Sequence, residues 1–342
     1  MLRGSLQRRL ALLVVLGSGL IYVACIAEEL APVAAPPEAI GTPVAALLAA
    51  TQRVPERFVG PEACMDCHEA EYVVWSHSDH ATNAYNLLRT SSNAKRYAEK
   101  LGIDADRVAS APQCLVCHAT PQDQTGNRTG RMLGVSCESC HNGAGGEEGW
   151  LNAHATYGPG VARRERESAA HRQQRIDRCR AAGHFRCDDL YSLARQCYQC
   201  HVVGDEALVV RGGHHPGDAG FEMVSWFDKQ IRHNLFLDPS RNGLAPSLWA
   251  DPRWRPNRMP GNEKDHRRQM YVVAMLVDLE LSLRNRAAAE HASFASAAAT
   301  RIVAAKSRLN TIAEDDLAEV LRPVVHAVAE LESLLFTPPA KN

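Results

Sequence analysis

Aromatic residues make up only 6% of this 342-residue chain, so aromatic packing is a modest part of any core its side chains build. An excess of one charge is missing too: 38 basic side chains stand against 39 acidic ones, a net charge of −1. That balance excludes the globally basic surface on which nucleic-acid binding relies. No even repeat period runs through the sequence, which excludes a simple repeat array. The length is enough for two average domains.

What the chain does have is cysteine. Eight of its eleven cysteines fall in four copies of Cys-x-x-Cys-His, at Cys64–His68, Cys114–His118, Cys137–His141 and Cys197–His201. Each pentapeptide reads as a c-type haem attachment site. The two thiols add to the vinyl groups of one haem, and the adjoining His ligates the iron from the proximal side. Two intervening residues let both sulfurs reach the same porphyrin edge, and the His must follow directly to tuck beneath the ring. Zinc sites and thioredoxin-like redox pairs also use Cys-x-x-Cys, but neither requires a His after the second Cys, and here it follows all four times. The expectation is four covalently bound haem c groups. Cys64, Cys67, Cys114, Cys117, Cys137, Cys140, Cys197 and Cys200 would attach them, with His68, His118, His141 and His201 as proximal iron ligands. Four haems bring large flat apolar surfaces, so the core need not be built from side chains alone.

Covalent haem attachment takes place outside the cytoplasmic membrane, and the N-terminus supplies an export signal. Arg3, Arg8 and Arg9 form a basic region, and Leu10 to Ala27 is uncharged and mostly apolar. That stretch is long for a cleaved signal and just long enough to span a bilayer. Three outcomes compete for residues 1–27: retention as a membrane anchor, cleavage near Ala27, or lipidation of Cys25. Each places the haems in the periplasm. Residues 28–60 hold Pro32, Pro36, Pro37, Pro43 and Pro55 and read as an extended tether.

Residues 61–234 are then the tetrahaem domain, and residues 235–342 a loop followed by a C-terminal helical bundle. The expected fold is mainly α, with little β-structure and a core packed by haem. In the bundle, Gln269 to Arg286, Ala288 to Leu309 and Ile312 to Phe336 have helical patterning. Thr311 to Glu314 forms a capping box for the last of these, which Pro323 kinks or splits. The Arg-rich stretch Arg163 to Arg180 reads as a solvated helix, with a docking face for an acidic partner as the lesser alternative. Cys179 and Cys187 are expected to pair as a disulfide in an oxidising compartment, two free thiols being the alternative.

Eleven histidines remain as candidates for the sixth coordination position. His80 ends a run of Tyr72, Trp75 and Ser78, expected to continue as a helix from Glu69. It stands twelve residues past His68, about 18 Å along a continuous helix, so it suits a neighbouring haem, with His77 as competitor. After the third motif, Gly143, Gly145 and Gly146 let the backbone turn back so that His154 reaches its own or an adjacent iron. Beyond the fourth motif, His214 and His233 are both candidates. Met223 sits in an apolar run and reads as core, His215 as a bystander, and His184, between Cys179 and Cys187, as an additional, weaker candidate.

These residues resemble a family. The run Trp75-x-x-Ser78-x-His80-Ala81, the block Gly134 to His141, the Trp150-to-His154 element, Gly212-Gly213-His214 and Arg232-His233-Asn234 are similar to those of the tetrahaem cytochrome c-554 family and other multihaem relatives. The similarity covers roughly Pro61 to Asn234. It implies bis-His haems at most sites, closed by His80, His154, His214 and His233, with room for one five-coordinate haem. Two departures stand out: Asn142 where such proteins commonly have Gly, and His215 doubling the His after Gly-Gly.

With two imidazoles on each iron, the expected function is electron transfer between redox proteins of the periplasm or membrane, by a carrier rather than an enzyme. The runner-up is a multihaem oxidoreductase with one open iron acting on a small nitrogen or sulfur compound, its pocket lined by His215, Arg211 or His184. No Cys-x-x-Cys-Lys motif is present, which removes one marker of multihaem nitrite reductases. A haem-based sensor is third, and no recognisable output module follows.

Overall fold

Helices dominate the chain. The computed structural model describes residues 57–120, 134–147, 149–230 and 263–313, and among these there is no β-sheet, only an isolated bridge at Thr120. The mainly α expectation holds at that level.

Helix α1 (Glu62–Ser76) carries the first motif and is kinked at His68, where φ is −124° and ψ 42°. It does not run on to His80. Ser78 turns to extended backbone (φ −77°, ψ 160°), and its hydroxyl accepts from the Ala81 amide to cap a new short helix, α2 (Asp79–Thr82). The rise computed for one continuous helix therefore does not apply. α3 (Ala84–Thr90) and α4 (Ser92–Leu101) follow, and Gly102 ends α4 in the left-handed region at φ 77°. α5 (Pro112–His118) starts on a proline, whose missing N–H costs nothing at a helix start. α6 (Cys137–His141) is the third motif itself, and α7 (Trp150–His154) lies just beyond it. α8 (Ala169–Ala181) is capped by the Ser168 hydroxyl and α9 (Leu190–His201) by the Asp189 carboxylate. A single π-helical turn (Leu208–Gly212), then α10 (Met223–Gln230), α11 (Glu263–Ala288) and α12 (Ala292–Ala313), complete the described chain. Every motif His thus closes a helical segment: His118, His141 and His201 are last residues, and His68 sits at the kink.

The main side-chain core lies where α9 packs on α11 and α12. Tyr198, Met275, Leu281, Ile302 and Leu309 are fully buried there, joined by Phe221 and Met223; each such aliphatic side chain contributes about 1.5–3 kcal/mol of transfer free energy. Inside this core Asp278 accepts from Arg301 Nε at 2.5 Å and from Nη2 at 3.3 Å, and Ser282 adds a third bond at 3.2 Å. Elsewhere the buried apolar groups form only small clusters: Leu88, Ala98 and Val108 in one, Ala144, Trp150 and Cys179 in another. α12 continues through Ala313 without the break expected before Ile312. The Thr311 hydroxyl donates back to the Ser307 carbonyl at 3.0 Å, as a mid-helix threonine does, and so starts no new helix.

Residues 1–56, the whole of the 235–260 loop and the segment holding Pro323 lie outside the described residues. No described helix is long and apolar enough to cross a membrane.

Candidate functional site

Each motif histidine faces one other imidazole. His68 and His154 lie 6.1 Å apart between ring centres, His201 and His80 6.2 Å, His118 and His214 6.4 Å, and His141 and His184 5.7 Å. Two imidazoles on opposite sides of one metal, at about 2 Å per metal–nitrogen bond, put their ring centres about 6 Å apart. All four separations fit that spacing.

Local structure aims the rings. His118 Nδ1 donates to the Ala84 carbonyl at 2.9 Å, His141 Nδ1 to the Phe185 carbonyl at 2.7 Å, and His214 Nδ1 to the His215 carbonyl at 2.7 Å. A proton held on Nδ1 leaves the Nε2 lone pair for a metal, the usual outer partner of a ligating histidine. The His80 carbonyl accepts from the Val135 amide at 2.9 Å, and the Val135 carbonyl from Trp75 Nε1 at 2.8 Å. Gly134 is required in this contact, because a Cβ there would stand 2.0 Å from the His80 oxygen. Phe221 stacks on His201 at 3.9 Å with planes 9° apart. The loop bearing Phe221 is held from the bundle: Arg301 donates to the Asp218 carbonyl at 2.6 Å, and Arg308 to those of Ala219 and Phe221 at 3.0 and 3.4 Å.

The His141–His184 pair is built by an unusual residue. Asn142 has φ 68°, the one non-glycine residue in the left-handed region among those described, a conformation that costs about 1–3 kcal/mol outside glycine. Its strained backbone lets Nδ2 donate to the Gly183 carbonyl at 3.1 Å, while the Asn142 carbonyl accepts from Trp150 Nε1 at 3.1 Å. Trp150 in turn stacks on His184 at 3.8 Å, planes 6° apart. The Phe185 amide donates to the His141 carbonyl at 3.3 Å. The 183–185 loop is thereby clamped onto the third motif. Glu138, inside that motif, is buried and accepts from the amides of Val59, Gly60 and Ala144 at 3.1, 2.9 and 2.8 Å, tying the motif to the chain ahead of α1.

Burial keeps these imidazoles neutral, as metal ligation requires. Desolvation lowers His80, His118 and His141 below the ordinary value and takes His154 to about 3 and His201 to about 4. His184 is also driven down, by desolvation first and then by His141 and His154. His154 Nδ1 and His184 Nδ1 are buried with no hydrogen-bond partner among the described residues, so these two rings lack the outer hydrogen bond that orients His118, His141 and His214.

Among the expected ligands, His80 meets His201 rather than His68, His154 meets His68 rather than the motif just before it, and His214 meets His118. His184, read from sequence only as a weaker candidate, is the residue that meets His141. His233 lies outside the described residues. His77 turns to its own helix, Nδ1 to the Val73 carbonyl at 2.8 Å, and His215 accepts from the Gly217 amide at 3.0 Å. Met223 is buried in the core. The expected disulfide is absent: no sulfur–sulfur bond joins Cys179 and Cys187. Cys179 points from α8 towards α7, where its thiol donates to the Trp150 carbonyl at 3.8 Å. Its sulfur also falls within 4.8 Å of ligand atoms of His154 and His184, but a single ion held by that trio would take both rings from the motif histidines they face.

On the attachment side, the Cys64 and Cys137 thiols are in hydrogen-bonding contact, and Cys140 lies near enough to Cys197 to act on its charge. The eight cysteines and eight facing imidazoles are a donor set that fits four haem c groups.

Comparison with known proteins agrees with this chemistry. Residues 63–142 match the family described as cytochrome c554 and c-prime, a stretch holding the first three motifs. A segment of 32 residues is 53% identical to the dissimilatory sulfite reductase MccA of Wolinella succinogenes, covering 9% of this chain and 5% of the reductase. No solved structure matches. Over residues 63–142 the chain is similar to that cytochrome family.

Proposed function

We propose that the protein is an exported tetrahaem electron carrier in which every haem iron is held by two histidines. The observation that carries this reading is the set of four imidazole pairs at 5.7–6.4 Å. The pairs are His68/His154, His118/His214, His141/His184 and His201/His80, each beside its own Cys-x-x-Cys. A bound haem supplies a reversible one-electron couple. The chain's part is to occupy both axial positions, exclude small molecules from them, and set the sites close together. His68, His154, His184 and His141 form a continuous series of rings at 6.1, 5.4 and 5.7 Å, and the Cys64–Cys137 and Cys140–Cys197 neighbours link the first, third and fourth motifs. The small side-chain clusters around the first three motifs are consistent with a core filled by porphyrin.

On this reading the N-terminal segment exports the protein to the periplasm and tethers it at the membrane, by a retained anchor or a lipid on Cys25. The partners are redox proteins of the periplasm or membrane. The short identity to a sulfite reductase favours, as a second reading, an oxidoreductase acting on a small nitrogen or sulfur compound at one open iron. Carbon monoxide added to the reduced protein separates the two: no binding is expected of the carrier, and one molecule bound per protein would establish an open site. An alkaline pyridine haem assay together with intact mass should give four covalent haems, and any smaller number overturns the tetrahaem assignment.

A further inference from the structure

The four imidazole pairs leave His215 unused, although it doubles the histidine after Gly212-Gly213. Its surroundings give it a task. Gly213, left-handed at φ 82°, ends the π-helical turn Leu208–Gly212, and the His214 amide donates to the Leu208 carbonyl at 3.1 Å. His214 is thereby turned towards His118. The His215 carbonyl accepts from His214 Nδ1 at 2.7 Å. The His215 ring holds that carbonyl in place: its Nδ1 accepts from the Gly217 amide at 3.0 Å, two residues on, as the side chain of an Asx-turn does. The far end of this turn is anchored. The Val203 amide donates to the Pro216 carbonyl at 3.2 Å. Gly217, at φ 102°, packs so closely on His201 that a Cβ would stand 2.2 Å from the His201 carbonyl oxygen.

Hydrogen bonding is therefore unequal among the four pairs. At the second site both rings are tied to carbonyls, His118 to Ala84 at 2.9 Å and His214 to His215 at 2.7 Å. At the third, His141 is tied to Phe185, while His184 Nδ1 has no hydrogen-bond partner among the described residues. At the first, His154 Nδ1 has none either, and His68 Nδ1 stands 3.8 Å from Glu71, beyond hydrogen-bond range. At the fourth, neither the His201 nor the His80 ring makes a hydrogen bond among the described residues. A carbonyl on Nδ1–H makes the imidazole a stronger donor, which favours ferric iron and lowers the reduction potential. Charge does not reverse that order. Arg175, Arg186 and Arg301 act on rings of the other three sites, and each has a carboxylate partner in Glu167, Asp188 or Asp278. Any charge they keep favours ferrous iron there. Glu138, which acts on Cys64, is compensated by three amides. Lys100 beside Gly213 and Arg96 over Tyr97 lie near the second site but are exposed, so salt screens them.

We propose that the second haem has the lowest reduction potential of the four, and that His215 is a positioning residue that holds it there. The proposal rests on the tetrahaem reading. Two segments join this site to the fourth. Residues 80–84 carry both His80 and the Ala84 carbonyl, and the 214–217 turn carries His214 and packs on His201. One electron released by the second iron is taken up by the ferric fourth iron, downhill in free energy.

The test is a redox titration of the full-length, haem-loaded protein followed by electron paramagnetic resonance. The low-spin signal that disappears in His214→Ala identifies the second haem. In the wild type it should be the last of the four to be reduced as the potential is lowered. His215→Ala releases the carbonyl. It should raise the reduced-to-oxidised ratio of that haem by about 2- to 10-fold at a fixed potential and leave the other three unmoved. His215→Asn keeps a side-chain oxygen to accept from the Gly217 amide and should titrate as the wild type does. A different haem reduced last in the wild type would overturn the proposal. So would an unmoved second-haem signal in His215→Ala, or a shift in His215→Asn as large as that of alanine. Failure of the tetrahaem reading registers separately, as fewer than four haems in the pyridine assay or a high-spin second haem before any titration.

Discussion

Replacing His184 with alanine is the sharpest single perturbation of this site. The ring it removes stacks on Trp150 at 3.8 Å and faces His141 at 5.7 Å. The backbone around it is held independently: His141 Nδ1 still reaches the Phe185 carbonyl, and Asn142 still reaches the Gly183 carbonyl. The third motif should therefore keep its haem and proximal ligand and lose only the sixth. Deleting a buried ring of this size costs about 2–4 kcal/mol, of which about 0.5–1.5 kcal/mol is the lost aromatic stacking, so the variant should fold but unfold earlier. Electron paramagnetic resonance of the oxidised variant should convert one haem of four to high spin. The reduced variant should bind one carbon monoxide per protein, and added imidazole, filling the vacated space, should restore the low-spin signal. A fully low-spin H184A spectrum would refute the assignment. If H233A gave the high-spin signal instead, His233 would be the ligand and the clamp around Gly183 would be structural only.

Asn142→Ala should destabilise by about 1–3 kcal/mol, because alanine keeps the left-handed strain and loses the bond to Gly183; Asn142→Gly should cost less, and chemical denaturation of both variants orders them. Acid should release axial histidines well below the range of an exposed imidazole. Burial lowers His201 from 6.5 to about 4 and His154 to about 3, so the unfolded chain takes up protons that the folded one refuses, and stability falls as pH drops from about 6.5 towards 4. A visible-absorption titration should keep the low-spin bands down to about pH 4, and a transition centred near 6.5 would contradict the burial of these rings. Arg301→Met should cost about 3–5 kcal/mol by leaving Asp278 buried without its cation. It should also free the loop that sets Phe221 on His201, altering one low-spin signal of the four, whereas Arg308→Met should cost less.

The parts of this account that were legible in the sequence are those whose chemistry is local. Cys-x-x-Cys-His is dictated by the span between two vinyl groups and one iron, and no tertiary fold is needed to recognise it. Sixth ligands are different, since each arrives from a distant segment. His184 stood out weakly because its position depends on Asn142 adopting φ 68° and on Trp150 stacking from α7; its only local signal was the Gly183-His184 pair, which parallels Gly213-His214. The continuous helix drawn through His80 overlooked Ser78 as a helix cap, although a serine three residues before Ala81 is the ordinary form of one. The disulfide expectation weighed compartment and spacing, while Cys179 is turned inward by the α8 face that also buries Arg175 and Ile176. The bundle was read as packing alone. The reach of Arg301 and Arg308 to the Asp218–Phe221 loop is a contact between segments more than 80 residues apart, and periodicity carries no trace of it.

The central claim is that two histidines close every haem iron. Quantitative electron paramagnetic resonance of the oxidised, full-length protein tests it directly. The account predicts low-spin signals integrating to four haems per chain with no high-spin component. A high-spin signal amounting to one haem or more would contradict it and return the protein to the oxidoreductase reading.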